Sequence, residues 1–473
     1  MYLRWLLSLL TTAALGATAT ASAQMPLRDA LSLADQAAFP NRVAAGNTAA
    51  QRGQALAPLR GVLPSLRFDA GYTRTTDPIS TFGMTLQQRS ITTADFDPQR
   101  LNFPDAVGNY SASIVVEQPL FNADAWAGRR AARVATDAST AQQNWTRLST
   151  HTEVIRAYYG AVLAAERATT LEAAARAAHA HVAQAQSMVR NGLATRSDAL
   201  LAEVSAGDVD AQLAEARGDA ESARRQLEVS LGQNPDGAVM LPQALPTSAS
   251  IRQVVTEDTA STPPADRADV AAARMGLDAA RADALRARST YLPRINGFAR
   301  YGWNSAVRLY SGDKNWTVGV VASWSLFTGG SSWADIQTTA GRESGARAQA
   351  DAAAAHALLE AEQSKTKLQV ALTRLDIAER SVAQSAEAHR IVGRKYDGGL
   401  ATVAELLDAQ AADIRSALGL SQARYAAIVA GAARRQALGI DPATLVALDE
   451  PSPSPTGSDA APPSRQDNNA PHQ

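Results

Sequence analysis

Nearly the same segment occurs twice in this chain, 207 residues apart. Asn191-Gly192-Leu193-Ala194-Thr195 returns as Gly398-Gly399-Leu400-Ala401-Thr402. The copies stay aligned to Leu231-Gly232 and Leu438-Gly439. Upstream, Leu120-Phe121 answers to Leu326-Phe327 at a shift of 206, and Leu63-Pro64 to Leu292-Pro293 at a shift of 229. Self-similarity at a fixed period dictates architecture before local preference does. It implies a protomer of two quasi-equivalent halves, suited to a tubular assembly.

Each half changes its hydrophobic period. Residues 24–63 read as helix and stop at Leu63-Pro64. Then Leu66, Phe68, Ala70 and Tyr72 alternate with Arg67, Asp69, Gly71 and Thr73. This is the pattern of a strand with one apolar and one polar face. A long polar stretch follows, with Pro78, Gly83, Pro98 and Pro104. Alternation resumes with Tyr110, Ala112, Ile114 and Val116. The second copy places Ile295, Gly297, Ala299, Tyr301 and Trp303 on one strand face, and Trp316, Val318, Val320, Ala322 and Trp324 on its partner.

Both strand pairs lead into helix. No proline interrupts Ala123 to Arg190, and alanine, the best helix former, recurs throughout. Trp145, Leu148, Thr152, Ile155, Tyr159 and Val162 fall at three- and four-residue steps; Leu368, Leu372, Leu375, Val382 and Ala386 keep the same spacing with one seven-residue step. That spacing predicts supercoiled packing of long helices. A helix of about 65 residues is on the order of 100 Å long. Gly192 and Gly399 break the pattern, and helix returns to Leu231 and Leu438.

The 473 residues carry a net charge of −1, so no basic field points to nucleic acid. No cysteine is present, which removes disulfides, thiolate metal sites and cysteine nucleophiles. Arg4, the apolar run Trp5 to Leu15 and Ala21-Ser22-Ala23 predict a signal peptide over 1–23. No later run reaches the ~18 apolar residues of a membrane-spanning helix. Residues 449–473, rich in Pro and Ser, read as a disordered tail.

Four strands of about 9–11 residues match the bilayer for tilted β-structure, with aromatic ends suited to the interfaces. Four strands cannot close, and an open edge cannot face lipid. The smallest membrane barrels have about eight strands, so several protomers must pool theirs.

The chain resembles the TolC-type outer-membrane factors of Gram-negative bacteria. The resemblance rests on Gln118-Pro119-Leu120-Phe121, on Ser325-Leu326-Phe327-Thr328-Gly329-Gly330, and on Tyr396-Asp397-Gly398-Gly399-Leu400 running into Ala404-Glu405-Leu406-Leu407-Asp408-Ala409-Gln410. It covers nearly all of the chain after residue 23. It implies a mainly α protomer with a β-barrel part: internally duplicated, with four transmembrane strands and long helical hairpins. Three protomers would form a barrel and duct in the outer membrane, extending into the periplasm. The expected partners are a periplasmic adaptor, an inner-membrane pump and outer-membrane lipid. The expected division is 24–233 and 268–448 for the two repeats, with 234–267 linking them and contributing to a belt around the helices.

No enzyme constellation emerges, and no cofactor or metal is expected. His151, His179, His181, His356, His389 and His472 are scattered. His179 and His181 lie two apart, on different helix faces, which favours solvated positions over metal ligation. Gly329-Gly330 lacks the rest of any nucleotide fingerprint and is expected to turn strand into helix.

Glu405 and Asp408 are three apart, so they share a face just inside the helix after Gly399. A bare carboxylate pair there also suits a helix N-terminus. By the resemblance, carboxylates at this place line the periplasmic entrance. Rings of acidic residues at a constriction attract cations. Asp198 is the counterpart of Glu405, whereas Leu201 stands opposite Asp408. Some relatives carry an arginine four residues before the first carboxylate; this chain has Ala401, and Ala194 in the other copy. Gly192, Leu193, Gly399 and Leu400 form the hairpin tips, with glycine supplying positive φ and leucine expected to pack back. The resemblance makes these tips adaptor contacts. Tyr72, Tyr110, Tyr301, Trp303, Trp316 and Trp324 are the expected membrane-interface aromatics. The function so implied is a passive exit duct of an efflux system. A protein-secretion conduit and a secreted coiled-coil adhesin are the alternatives.

Overall fold

A computed structural model of the chain describes residues 24–256, 267–309 and 311–448. The expected signal peptide, the tail and part of the inter-repeat segment lie outside the described residues. In chain order the helices and strands are α1 (Leu27–Ala37), α2 (Phe39–Gln54), β1 (Ser65–Thr75), α3 (Pro78–Gln87), α4 (Pro98–Asn102), β2 (Val107–Phe121), α5 (Ala123–Arg190), α6 (Arg196–Ser230), α7 (Ser248–Thr256), α8 (Ala268–Ser289), β3 (Arg294–Ser305), β4 (Asp313–Ser323), α9 (Ser331–Asp397) and α10 (Val403–Ala437). Short 3-10 segments lie at Ala57–Gly61, Thr93–Phe96 and Pro442–Leu448.

The two halves match closely. Helices α5 and α9 have 68 and 67 residues, and α6 and α10 have 35 each. Two expectations need correction. Residues 24–63 are not one helix: Ala38 has an extended backbone, and Pro40, near the start of α2, can supply no N–H to a continuing ladder. The polar stretch after β1, for which no element was expected, also carries helices. Pro78 and Pro98 occupy the first helical position behind the capping residues Asp77 and Asp97. Proline there starts a helix rather than breaking one.

The strands form one antiparallel sheet in the order β1-β2-β3-β4. Residues directly opposite one another share a face. Phe68 lies opposite Ile114, Ile114 opposite Tyr301, and Tyr301 opposite Trp316. This is one continuous apolar, aromatic face. On the other face Asp69, Ser113, Gly302 and Asn315 form a polar row. Leu66, Phe68, Tyr301, Trp316, Val318 and Val320 on the apolar face are all exposed. A soluble sheet normally buries such a face against a second layer.

The largest apolar core lies partway along the helices. Tyr158 and Tyr159 of α5, Leu227 of α6, Ile251 of α7, Ile428 of α10 and Leu445 of the last 3-10 segment are buried together, with Leu27 and Leu31 of α1. The predicted stripe on α5 is buried at Leu148, Thr152, Ile155, Tyr159 and Val162. On α9 only Leu375 of the corresponding set is buried, and Ala386 is exposed. The reason is position: α5 packs against α1, α2, α6, α8 and α10, whereas α9 packs against α8 and α10. Repeated sequence therefore occupies two unlike environments.

Candidate functional site: hairpin ends, belt and membrane sheet

The two hairpin tips are built alike. At the end of α5 the N–H groups of Gly192 and Leu193 donate to the carbonyls of Val189 and Met188 at 3.0 and 2.9 Å. At the end of α9, Gly399 and Leu400 donate to Tyr396 and Lys395 at 3.0 and 2.8 Å. This double closure needs a left-handed residue, and Gly192 and Gly399 have φ of +74° and +71°. The leucines do not pack back, contrary to expectation. Leu193 is 73% exposed and Leu400 82%. Two apolar side chains thus project from the tips.

The next helices open with capping boxes. The Thr195 N–H donates to the Asp198 carboxylate at 2.9 Å, and the Asp198 N–H donates to Thr195 Oγ1 at 3.3 Å. In the second copy the Thr402 N–H donates to Glu405 at 2.8 Å, and the Glu405 N–H donates to Thr402 Oγ1 at 3.2 Å. The backbone hydrogen bond from Thr195 holds the Asp198 carboxyl below the usual range, and that from Thr402 does the same for Glu405. Both stay ionised at neutral pH; Glu405 is exposed and Asp198 half-buried. Asp408 is exposed one turn further on. The structure therefore gives Asp198 and Glu405 a local role, closing a helix end, and leaves Asp408 outside that motif.

A seam joins the two hairpins just behind the tips. Tyr396, Val403 and Leu406 from the second are buried with Ala185, Ala199 and Ala202 from the first; Ala401 packs beside them. Gln184 donates to Asp397 across the seam at 2.8 Å. Further in, the rings of His181 and His389 are 6.3 Å apart, and His389 Nδ1 is 3.1 Å from Asp413. Burial and the neighbouring His389 lower the His181 pKa. Burial, with Asp198 and Asp397 nearby, raises that of Tyr396. The sequence does not mark Tyr396, Gln184 or His389 as contacts across the seam, because Ala185, Asp397 and His181, which they meet, lie in the other repeat.

The core partway along the helices holds a buried histidine. His151 is only 3% exposed. Its Nδ1 lies 2.7 Å from Asp441 and its Nε2 2.9 Å from Asp35. Burial opposes its charge, but the hydrogen bond and charge of Asp441, with Asp35, carry its pKa above the ordinary histidine value. Buried arginines tie the same region. Arg267 pairs with Asp269 at 2.6 Å and Glu360 at 2.9 Å and lies over the Trp145 ring. Arg434 and Arg435 donate to the carbonyls of Ala361 and Val254, each at 2.6 Å. Among the described residues no group of three or more His, Cys, Asp or Glu side chains could hold a metal ion.

On the membrane sheet, Tyr72 and Tyr110 face each other across strands with ring centres 4.6 Å apart. Tyr301 lies 6.0 Å from Trp303, which is half-buried. Trp324 falls just past the end of β4 and donates to the Tyr291 carbonyl at 2.8 Å. At the sheet–helix junction Trp126, Phe327 and Trp333 are also exposed, and none of them is among the expected interface aromatics. Their lack of strand alternation hid them. Among the described residues no helix is long and apolar enough to cross a membrane.

Known proteins agree with this geometry. The alkaline protease secretion protein AprF of Pseudomonas aeruginosa is 28% identical over 236 residues, 47% of this chain and 47% of AprF. The match thus spans about half the length of that curated relative. Solved outer-membrane proteins share the fold. VceC of Vibrio cholerae superposes with a TM-score of 0.72 at 22% identity, covering 87% of this chain and 96% of VceC. CmeC of Campylobacter jejuni gives 0.72 at 16%, covering 87% and 85%. MtrE of Neisseria gonorrhoeae, in an open state, gives 0.68 at 20%, covering 88% and 89%. The outer membrane efflux protein family matches residues 32–233 and 264–440. Those two stretches make up most of the chain, and the chain belongs to the outer membrane efflux protein family.

Proposed function

We propose that three copies of this chain form the exit duct of a tripartite efflux system, passively conducting small molecules across periplasm and outer membrane. The observation that carries this reading is the bare sheet. Its apolar face is exposed, its outer strands β1 and β4 each have an unpaired edge, and four strands fall short of the smallest closed barrel. Neighbouring copies supply the missing pairs, and lipid covers the apolar face. An adhesin has no use for an exposed aromatic sheet joined to helices of this length. Residues 24–233 and 268–448 serve as the two repeats of the wall, and 234–267 contributes to the belt.

The carboxylates Glu405, Asp408 and Asp198 line the periplasmic entrance in this reading, each repeated three times. Their charge favours cations at the narrow end. Gly192, Leu193, Gly399 and Leu400 meet a periplasmic adaptor, supported by two leucines held out in solvent by rigid turns. An inner-membrane pump supplies cargo and energy. The likeness to AprF, a secretion protein, favours a second reading in which the cargo is a polypeptide. Purification in detergent with cross-linking tests the assembly: a trimer that conducts in planar bilayers is expected, and a monomer without conductance overturns it. Export assays with a small dye and with a secreted protease separate the two cargoes.

A further inference from the structure

We infer that residues 78–104 form a latched lid over the outer mouth of the barrel. The inference rests on the channel reading above. The long helices join the sheet through the start of β1 and the end of β2. The β1–β2 connection therefore lies at the opposite, outer end of the strands. That connection is structured rather than slack, with α3 and α4 capped by Asp77 and Asp97 and a capping box between Thr92 and Asp95. It folds over the polar face. Ser111, Asn304 and Asp313 lie in one row across β2, β3 and β4 on that face, and Asn109 follows two residues from Ser111.

The latch occupies this row. Gln88 Nε2 donates to Asn109 Oδ1 and to the Gly108 carbonyl, both at 2.9 Å. Asn109 in turn donates to Asn304 Oδ1 at 2.9 Å. Arg89 reaches on to β4, donating to the Lys314 carbonyl at 3.3 Å and lying 3.6 Å from Asp313. One connection thus spans from β1 to the far strand. Asn109 and Asn304 are 5% and 8% exposed, although water should wet the lumen face of an open barrel. The lid excludes it.

The latch is built to release. The Arg89–Asp313 pair is exposed on both sides, and such pairs contribute little. Arg89 itself has φ of +50°, a conformation unfavourable for a residue with a side chain. Three such lids around a three-fold axis narrow the exit for bulky solutes approaching from outside. They are independent of the periplasmic entrance at the other end of the duct.

The chain has no cysteine, so Thr317→Cys places a single thiol on the polar face, beyond Asp313. Intact cells carrying the full chain are treated with a small impermeant methanethiosulfonate and with a maleimide bearing a bulky polyethylene glycol. The same is done with Gln88→Ala/Arg89→Ala, and with residues 79–103 replaced by a short Gly-Ser linker. The bulky reagent is expected to label both variants about tenfold faster than the parent. Equal bulky-reagent rates in all three proteins overturn the lid while leaving the channel intact. If neither reagent labels any of them, the polar face is not open to the exterior, and the channel reading falls together with the lid. Heat-modifiable trimer on gels verifies that each variant has assembled.

Discussion

His151 and Asp441 are joined by a 2.7 Å contact, though 290 residues separate them in sequence. The second ring nitrogen faces Asp35. One imidazole thereby clasps α1 and the residue that leads into the last 3-10 segment to α5. A charged ring satisfies both carboxylates, whereas a neutral ring turns a lone pair toward one of them.

The pH dependence follows. The folded pKa of His151 is raised, so its stabilisation is fully present below the ordinary value of about 6.5 and is lost as pH rises through the folded value. Thermal melts of the purified protein should show a midpoint that falls above neutral pH. His151→Gln should lower the midpoint in mild acid and flatten that slope. An unchanged slope in the variant removes the clasp from the explanation.

Capping and the proposed filtering are separable at Glu405 and Asp408. Glu405→Gln keeps a side-chain oxygen for the Thr402 N–H but deletes the charge. Combined with Asp408→Asn, it should reduce cation preference in bilayer recordings with little loss of stability. Thr402→Ala removes the cap hydroxyl and should cost about 1 kcal/mol without altering selectivity. Selectivity that follows Thr402 instead assigns the effect to shape.

The two sheet faces should differ sharply. Val318 lies on the apolar face and Asn315 on the polar one. Val318→Arg should destabilise the folded barrel by roughly 2–4 kcal/mol if it sits near the bilayer centre. Asn315→Arg should be far milder. Urea titrations followed by heat-modifiable migration measure both, and equal penalties contradict the assignment of faces.

The exposed tip leucines give the fourth expectation. Leu193→Asp with Leu400→Asp should abolish pump-dependent resistance while membrane insertion and trimer formation persist. Gly399→Ala strains a left-handed turn and should cost about 1–2 kcal/mol. Full resistance in the double leucine variant would detach the tips from any docking role.

Much of this architecture can be read from the chain because it is repetitive. Period two marks Leu66 to Tyr72, period 3.6 marks α5, and the glycines at 192 and 399 recur on schedule. What eludes such reading is whatever lacks a period or joins distant segments. The clasp at His151 draws on residues 35, 151 and 441. Gln184 and Asp397 meet across the seam between repeats. Helices α3 and α4 are too short to show amphipathic spacing, and only Asp77-Pro78 and Asp97-Pro98 betray them. The carboxylates Asp198, Glu405 and Asp408, proposed above for the entrance, were visible, but hydrogen bonds to Thr195 and Thr402 give two of them a structural duty that bare charge does not reveal.

The two joints that lead from the sheet into the longest helices, α5 and α9, are unequal. Where β2 enters α5, Asn122 holds Gly61 and Asn296, and Phe121 stacks edge-on against Trp126. Where β4 approaches α9, the link runs through Gly329 and Gly330, with φ of +64° and +88°, and the hydrogen bonds around these two glycines are local ones among Thr328, Ser331 and Ser332. In a closed ring of three, stiff and compliant couplings must alternate around the rim. Torque applied at the far tips would then be absorbed at every second coupling, letting one set of rods swivel while the other stays fixed to the membrane collar.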